Sequence, residues 1–170
     1  MKKIFAAFSA LAALFLCAQP GRAAAISPKS GAALCGALTV ADLQAVGIAK
    51  GANPTANVQD GGSSAYCVYA GKSSATGGIE LDVFYPAGAN PAEVKATQDT
   101  AAGESSSVLS PMAVPGADEA RGSLNAVSGG PPFATIVVRK GSLVFVLGIP
   151  AGPNAQGQLL KLADLVLKRF

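Results

Sequence analysis

The chain has 170 residues, half of them hydrophobic and 14% charged, and it contains no histidine. The absence of histidine excludes serine–histidine–aspartate and cysteine–histidine catalytic sites and histidine-based zinc sites. The 13 basic and 10 acidic residues give a net charge of only +3, without the basic excess of a nucleic-acid-binding domain.

The first 25 residues have the pattern of a secretory signal peptide. Lys2 and Lys3 precede an uncharged apolar run over residues 4–17, and small alanines end the segment. This order predicts export with cleavage after Ala25, and cleavage after Ala23 is the alternative. The apolar run is shorter than the roughly 20 residues that span a membrane, so an uncleaved anchor is the less favoured interpretation.

Cys17 allows a second interpretation, in which the exported protein is a lipoprotein acylated on that cysteine. The residue before an acylated cysteine is small, whereas here it is Leu16. We therefore expect no lipid anchor at Cys17, and a protein that is free in the periplasm or secreted.

Removal of the leader also changes the charge. Lys2, Lys3 and Arg22 leave with it, so that basic and acidic residues become equal in number. A neutral mature chain with no basic run is not expected to bind nucleic acid or an anionic membrane surface. After cleavage no membrane span is expected either.

Two cysteines, Cys35 and Cys67, follow the leader. In an oxidising compartment a single disulfide is the expected state of such a pair. A loop of about 32 residues closed in this way stabilises a fold by roughly 3–4 kcal/mol. The alternatives are a metal or a redox pair, but a metal needs further ligands and a redox pair is usually Cys-x-x-Cys.

The mature chain of about 145 residues has the size of one domain. We expect residues 26–34 to be a flexible lead-in and residues 35–170 to fold as a single α+β domain. A capping box of Thr39 and Asp42 predicts a helix over residues 40–46. The sequence of residues 49–64 is rich in Gly, Asn, Pro and Ser and predicts a loop.

A hairpin is predicted next. Residues 65–70 are short, apolar and aromatic, and residues 71–78 resemble a turn. Along residues 79–85 the pattern has period two, which places Ile79 and its alternate residues inward. The same period places three residues outward: Glu80, Asp82 and Phe84.

The second half begins with a helix over residues 91–102, capped by Asn90 and ended by Gly103. A loop over residues 104–115, with a short extended piece near Val108, and a weak strand over residues 119–126 follow.

The clearest pattern is the last. Residues 133–139 and 142–149 are dense in Val, Ile, Leu and Phe, and Lys140-Gly141 between them suits a two-residue turn. Residues 154–168 then form an amphipathic helix. The order of elements predicts an antiparallel sheet of about five strands with about three helices packed mainly on one face.

Carboxylates are the main candidates for chemistry. Glu80 and Asp82 share a face of one strand, and paired carboxylates perform acid–base catalysis or hold calcium. Their ordinary interpretation is the solvated face of a half-exposed strand, and the same holds for Asp118 and Glu119. With Phe84, Glu80 and Asp82 form a candidate contact surface. The sequence assigns no catalytic, cofactor-binding or metal-binding residue.

The order of several short segments resembles small exported domains of unknown function, many of them actinobacterial lipoproteins or extracellular sensor-like domains. The matching segments are residues 35–43 (CGALTVADL), 66–69 (YCVY), 114–120 (VPGADEA) and 139–141 (RKG). The resemblance implies an α+β sheet with a disulfide between the two cysteines, and it does not imply an enzyme. This chain departs from many such domains in lacking a good lipid-attachment sequence.

These observations favour an exported, non-catalytic domain that binds a small ligand or a protein partner in the cell envelope. One alternative is a carboxylate-dependent envelope hydrolase that uses Glu80, Asp82 or Asp118. Another is a structural envelope protein, which an extended apolar surface would support.

Overall fold

The computed structural model describes residues 34–48, 53–58, 64–70, 78–86, 90–104, 108–126 and 132–170. The predicted signal peptide, the lead-in up to residue 33 and the predicted turn at residues 71–77 lie outside these ranges. The elements in chain order are α1 (Val40–Ala45), β1 (Asn53–Val58), β2 (Ser64–Ala70), β3 (Ile79–Phe84), α2 (Pro91–Glu104), β4 (Ser110–Pro111), β5 (Glu119–Ala126), β6 (Phe133–Lys140), β7 (Leu143–Pro150) and α3 (Ala155–Arg169).

The strands in the described ranges form one antiparallel sheet in the order β1-β2-β3-β7-β6-β5-β4. The predicted α+β class is therefore confirmed. The count of seven exceeds the predicted five because both edges carry an additional strand, β1 at one end and the two-residue β4 at the other. Both additions fall in segments whose composition predicts loops.

Strand β1 corrects the loop predicted for residues 49–64. It pairs with β2 along its whole length, from Asn53 opposite Ala70 to Val58 opposite Ala65. Proline is tolerated at a sheet edge, where a strand donates hydrogen bonds on one side only, so Pro54 does not prevent pairing. Pairing with a well-defined neighbour, rather than local propensity, makes this polar segment a strand.

The two faces of the sheet are covered differently. On the first face, β3 contributes Ile79, Leu81 and Val83 to a large core. Helix α3 packs there through its predicted apolar face. On the second face, α2 packs above β6 and β7 and beside Phe84, and Leu109 packs against the same core. The helices therefore lie mainly on one face, as expected, with α2 the exception.

The β6–β7 hairpin is confirmed, but its turn is shifted by one residue. Lys140 pairs with Leu143, so the two turn residues are Gly141 and Ser142 rather than Lys140 and Gly141. Gly141 has a φ of 57°, which a two-residue hairpin loop requires at its first central position. Gly141 therefore provides the positive φ at the first of the two turn residues.

The predicted disulfide between Cys35 and Cys67 is present. It joins the segment before α1 to the middle of β2. Tyr69, two residues after Cys67, is buried in the core on the first face of the sheet. Its hydroxyl donates a hydrogen bond to the Cys35 carbonyl at 3.1 Å. Leu34, at the end of the predicted lead-in, is also buried and belongs to the same core.

The capping box at the start of α1 also anchors the end of the chain. Thr39 and Asp42 cap each other's backbone as predicted. Arg169 at the end of α3 donates to both Asp42 carboxylate oxygens, at 2.6 and 3.0 Å. This hydrogen bonding holds the pKa of Asp42 well below its usual range. No helix in the described part of the chain is long and apolar enough to cross a membrane.

Candidate functional site

Among the described helices, α2 is the one that packs on the second face, above β6 and β7. Five side chains from the neighbouring strands β2, β3 and β7 also lie on the second face. Along each strand they alternate with residues that point into the core on the first face. All are half-buried except Glu80, which is exposed. We call these five residues the open strip: Tyr66 and Val68 on β2, Glu80 and Asp82 on β3, and Val146 on β7.

In the open strip, the strand register places the two carboxylates of β3 opposite less polar residues of β2 and β7. Asp82 lies opposite Tyr66 on one side and Val146 on the other, and Glu80 lies opposite Val68. Directly opposite residues have Cβ atoms about 5 Å apart, so their side chains touch. No ion pair within the described ranges involves Glu80 or Asp82.

Asp82 is the electrostatically unusual residue of the strip. Burial raises its pKa to about 7, and the negative charges of Glu80 and Glu104 act in the same direction. Burial also raises the pKa of Glu80. The strip therefore holds a carboxyl group that changes its charge near neutral pH.

Glu104 is a member of this site that the sequence analysis did not include. The predicted helix ended at Gly103, whereas α2 continues to Glu104. Gly103 lies within the helix and is not among the glycines with positive φ, so it does not act as the left-handed C-terminal residue. The contribution of Glu104 depends on the face against which α2 packs, which no local sequence pattern shows.

Phe84 belongs to a core and not to the surface. It is only 9% exposed and packs in a second hydrophobic core with Val94, Val137 and Val144. The predicted period along β3 is correct, since Phe84 points to the same face as Glu80 and Asp82. Helix α2, which the sequence could not place on this face, covers Phe84, and the candidate contact surface retains Glu80 and Asp82.

Asp118 is separated from these carboxylates. It precedes β5, which is three strand spacings from β3, or about 14 Å. Its carboxylate accepts hydrogen bonds from the Gly141 backbone at 2.7 Å and from Arg139 at 3.3 Å. Asp118 therefore stabilises the β6–β7 turn, and the structure does not bring it together with Glu80 and Asp82.

The arginines that the structure describes on the second face, Arg121 and Arg139, form ion pairs with other acidic residues. Arg121 pairs with Glu119 on β5, and Arg139 pairs with Glu119 and Asp118. Arg139 also donates from Nε to the Gln98 Oε1 atom of α2 at 3.1 Å. This network joins α2 to the β5–β6 side of the sheet and leaves the open strip acidic.

Histidine, cysteine and carboxylate side chains in the described ranges form no group of three or more that could hold a metal ion. Comparison with known proteins finds no matching family model and no similar curated protein or solved structure.

Proposed function

We propose that the protein is an exported, non-catalytic binding domain that recognises a basic protein segment through the open strip. The supporting observation is the pair of carboxylates, Glu80 and Asp82, which lie on the same face of β3 and form no ion pair within the described ranges. The disulfide is compatible with an oxidising compartment, as the predicted signal peptide requires. The absence of histidine from the sequence favours binding over catalysis, because it removes the most common catalytic base.

The neighbours of the two carboxylates define the chemistry of the partner. A lysine or arginine side chain can place its charged end between Glu80 and Asp82 while its methylene groups contact Val68 and Val146. The strip extends across three strands, about 10 Å, which suits successive side chains of an extended peptide better than a single small cation.

We expect a short peptide that alternates lysine and valine to bind the purified protein, and the same peptide with glutamate in place of lysine not to bind. Glu80→Gln removes one charge from the strip and should weaken binding about fivefold, or about 1 kcal/mol. Isothermal titration calorimetry at constant pH and low salt measures this change.

The matched control is Glu93→Gln, which removes a carboxylate from the exposed first turn of α2. It should leave the affinity unchanged. Equal weakening by Glu80→Gln and Glu93→Gln would show that only net charge matters and would contradict the proposal. Absence of binding by the lysine peptide would contradict it as well.

The two other functions have less support. A hydrolase could use Asp82 as an acid near neutral pH with Glu80 as its base, but Asp118 lies too far away to contribute. A structural envelope protein would be favoured by an extended apolar surface. The exposed large hydrophobic residues of the described ranges are instead scattered over separate segments: Val40, Val108 and Leu124.

A further inference from the structure

The two edges of the sheet are formed by strands of different character. At one edge, β4 consists of Ser110 and Pro111 alone. At the other edge, β1 spans Asn53–Val58 and pairs with β2 in a continuous register. Natural sheets protect an edge from a further strand by keeping it short, or by charged side chains, proline or bulges. The β4 edge is short and carries a proline, whereas β1 is longer and contains no charged residue.

The outward side of β1 can be identified from the hydrogen bonds of the sheet. The Asp118 amide donates to the Arg139 carbonyl at 2.9 Å, so the peptide groups of Arg139 point from β6 toward β5. Successive residues of a strand direct their N–H and C=O groups to opposite sides, and directly opposite residues of an antiparallel pair either exchange both bonds or exchange none. The direction at Arg139 therefore determines the direction in each neighbouring strand whose register is known.

The register carries this alternation from β6 through β7, β3 and β2 to β1. The peptide groups of Thr55 and Asn57 then point toward β2. Those of Pro54, Ala56 and Val58 point away from the sheet. Pro54 agrees with this assignment, because proline has no N–H to donate to β2 and at this position needs none.

The outward groups of β1 suit pairing with a second copy of the same strand. Ala56 and Val58 each direct an N–H and a C=O outward, and Pro54 directs a C=O outward. No strand in the described part of the chain pairs with this side of β1. When Ala56 lies opposite Ala56 of the second copy, the two residues exchange both hydrogen bonds. The Val58 N–H of each copy then donates to the Pro54 C=O of the other.

Proline limits the other registers. A pairing centred on Pro54 would bring two prolines together and lose both central hydrogen bonds. A pairing centred on Val58 would place Ala56 opposite residue 60, beyond the end of β1. The register centred on Ala56 uses the whole strand and places the missing N–H of Pro54 near the ends of the pairing.

The opposite edge of the sheet restricts the assembly to two copies. Pairing of β1 with β4 of another molecule would be a head-to-tail contact, which can continue from copy to copy without closing. The two residues of β4 are too few to form such a pairing. Pairing of β1 with itself is symmetric and closes at a dimer.

We propose that the protein forms a symmetric dimer in which β1 pairs antiparallel with β1 of a second copy and joins two seven-stranded sheets into one. The contact is narrow and made mainly by the backbone, so it belongs with the weak interfaces that bury less than about 1,200 Å². The equal numbers of basic and acidic residues that remain after loss of the predicted leader leave little net charge to oppose association. The proposal does not depend on the proposed binding function.

Sedimentation velocity of the protein purified after export tests this inference, over concentrations from about 5 µM to about 500 µM that cover weak association. The average mass should rise from that of one copy toward that of two. Ala56→Pro removes the central N–H and should weaken association at least about tenfold. Ala56→Ser is the matched control, because it keeps the N–H and should associate like the wild type. Val58→Pro removes the other outward N–H and provides a second variant should Ala56→Pro fold poorly.

Solvent exchange of single amides, measured by NMR on the wild-type protein, gives a readout that needs no variant. Exchange at Ala56 and Val58 should slow at least about twofold between the lower and the upper part of this concentration range, because pairing protects their N–H groups. Exchange at Thr55 and Asn57 should not change, because their N–H groups bond to β2 in both states. This alternation distinguishes edge pairing from association through another surface.

The mass of a single copy at every concentration would overturn the inference, and so would association that persists undiminished in both proline variants. Masses that grow beyond two copies would contradict the symmetric pairing. Slow exchange at Ala56 and Val58 that does not depend on concentration would show that a segment of the same chain pairs with β1, and would overturn the inference as well.

Discussion

Replacing both disulfide cysteines, in a Cys35→Ala, Cys67→Ala double variant, should lower the free energy of unfolding by about 3–4 kcal/mol. The bond closes a loop with a sequence separation of 32 residues, and opening it increases the conformational entropy of the unfolded chain. It also connects the α1 segment to β2 next to Tyr69, whose hydroxyl bonds to Cys35. The loss therefore affects the packing of α1 on the first core.

Thermal unfolding followed by circular dichroism measures this effect, which should lower Tm by about 10 °C for a domain of this size. Addition of a reducing agent to the wild-type protein should produce a similar decrease and should leave the double variant unchanged. A wild-type Tm that does not respond to a reducing agent, under conditions where both thiols are titrated as free, would contradict a stabilising role for the bond.

Replacing Asp82 with asparagine should stabilise the protein at pH 8 by up to about 4 kcal/mol. The folded state holds the proton of Asp82 up to about pH 7, whereas the ordinary pKa of an aspartate is 3.8. Between these values the folded state binds more protons than the unfolded state, so stability falls as the pH rises. Asparagine has a similar size and cannot ionise, so it removes this decrease.

The measurement is Tm as a function of pH from about 3 to about 9. Asp42, whose pKa is held low by Arg169, contributes stability above the ordinary aspartate pKa that is lost as the pH falls. The wild-type curve should therefore have a maximum near about pH 4, where the opposing effects of Asp42 and Asp82 balance. Asp82→Asn should flatten the alkaline side only, and an unchanged alkaline decrease would contradict the assignment to Asp82.

A Glu80→Gln variant tests how much Glu80 contributes to the raised pKa of Asp82. It removes the second cause of the raised pKa of Asp82 and leaves the first, which is burial. The alkaline decrease in stability should therefore remain, but it should end at a lower pH and be smaller in total. A variant curve that coincides with the wild-type curve would show that Glu80 does not act on Asp82.

The sequence predicts those elements whose patterns are repeated and local. The apolar face of α3, the capping box of α1 and the dense apolar strands β6 and β7 each contain enough consistent residues to be recognised without tertiary information. Strand β1 was not predicted because its pairing with β2 determines it. The β6–β7 turn was displaced by one residue because a Lys-Gly pair does not indicate which turn position the glycine takes.

The sequence also predicts part of the candidate site on the second face of the sheet. Period two correctly places Glu80, Asp82 and Phe84 on one face, but it does not show that a helix covers Phe84. That cover depends on which face α2 packs against, and the weakly amphipathic sequence of α2 leaves this open. The contribution of Glu104 to the charge around Asp82 depends on the same placement, and so no local pattern could have revealed it.

A photo-crosslinking amino acid placed at position 68 or 146 of the open strip, in the intact producing cell, tests the proposed binding function most directly. The control position is Lys161, which is exposed on α3 on the opposite side of the domain. We expect a defined adduct from Val68 and Val146 that decreases when Glu80→Gln is added, and no such adduct from Lys161. Exported protein that yields no adduct from the strip, or the same adduct in equal amount from Lys161, would contradict the proposal.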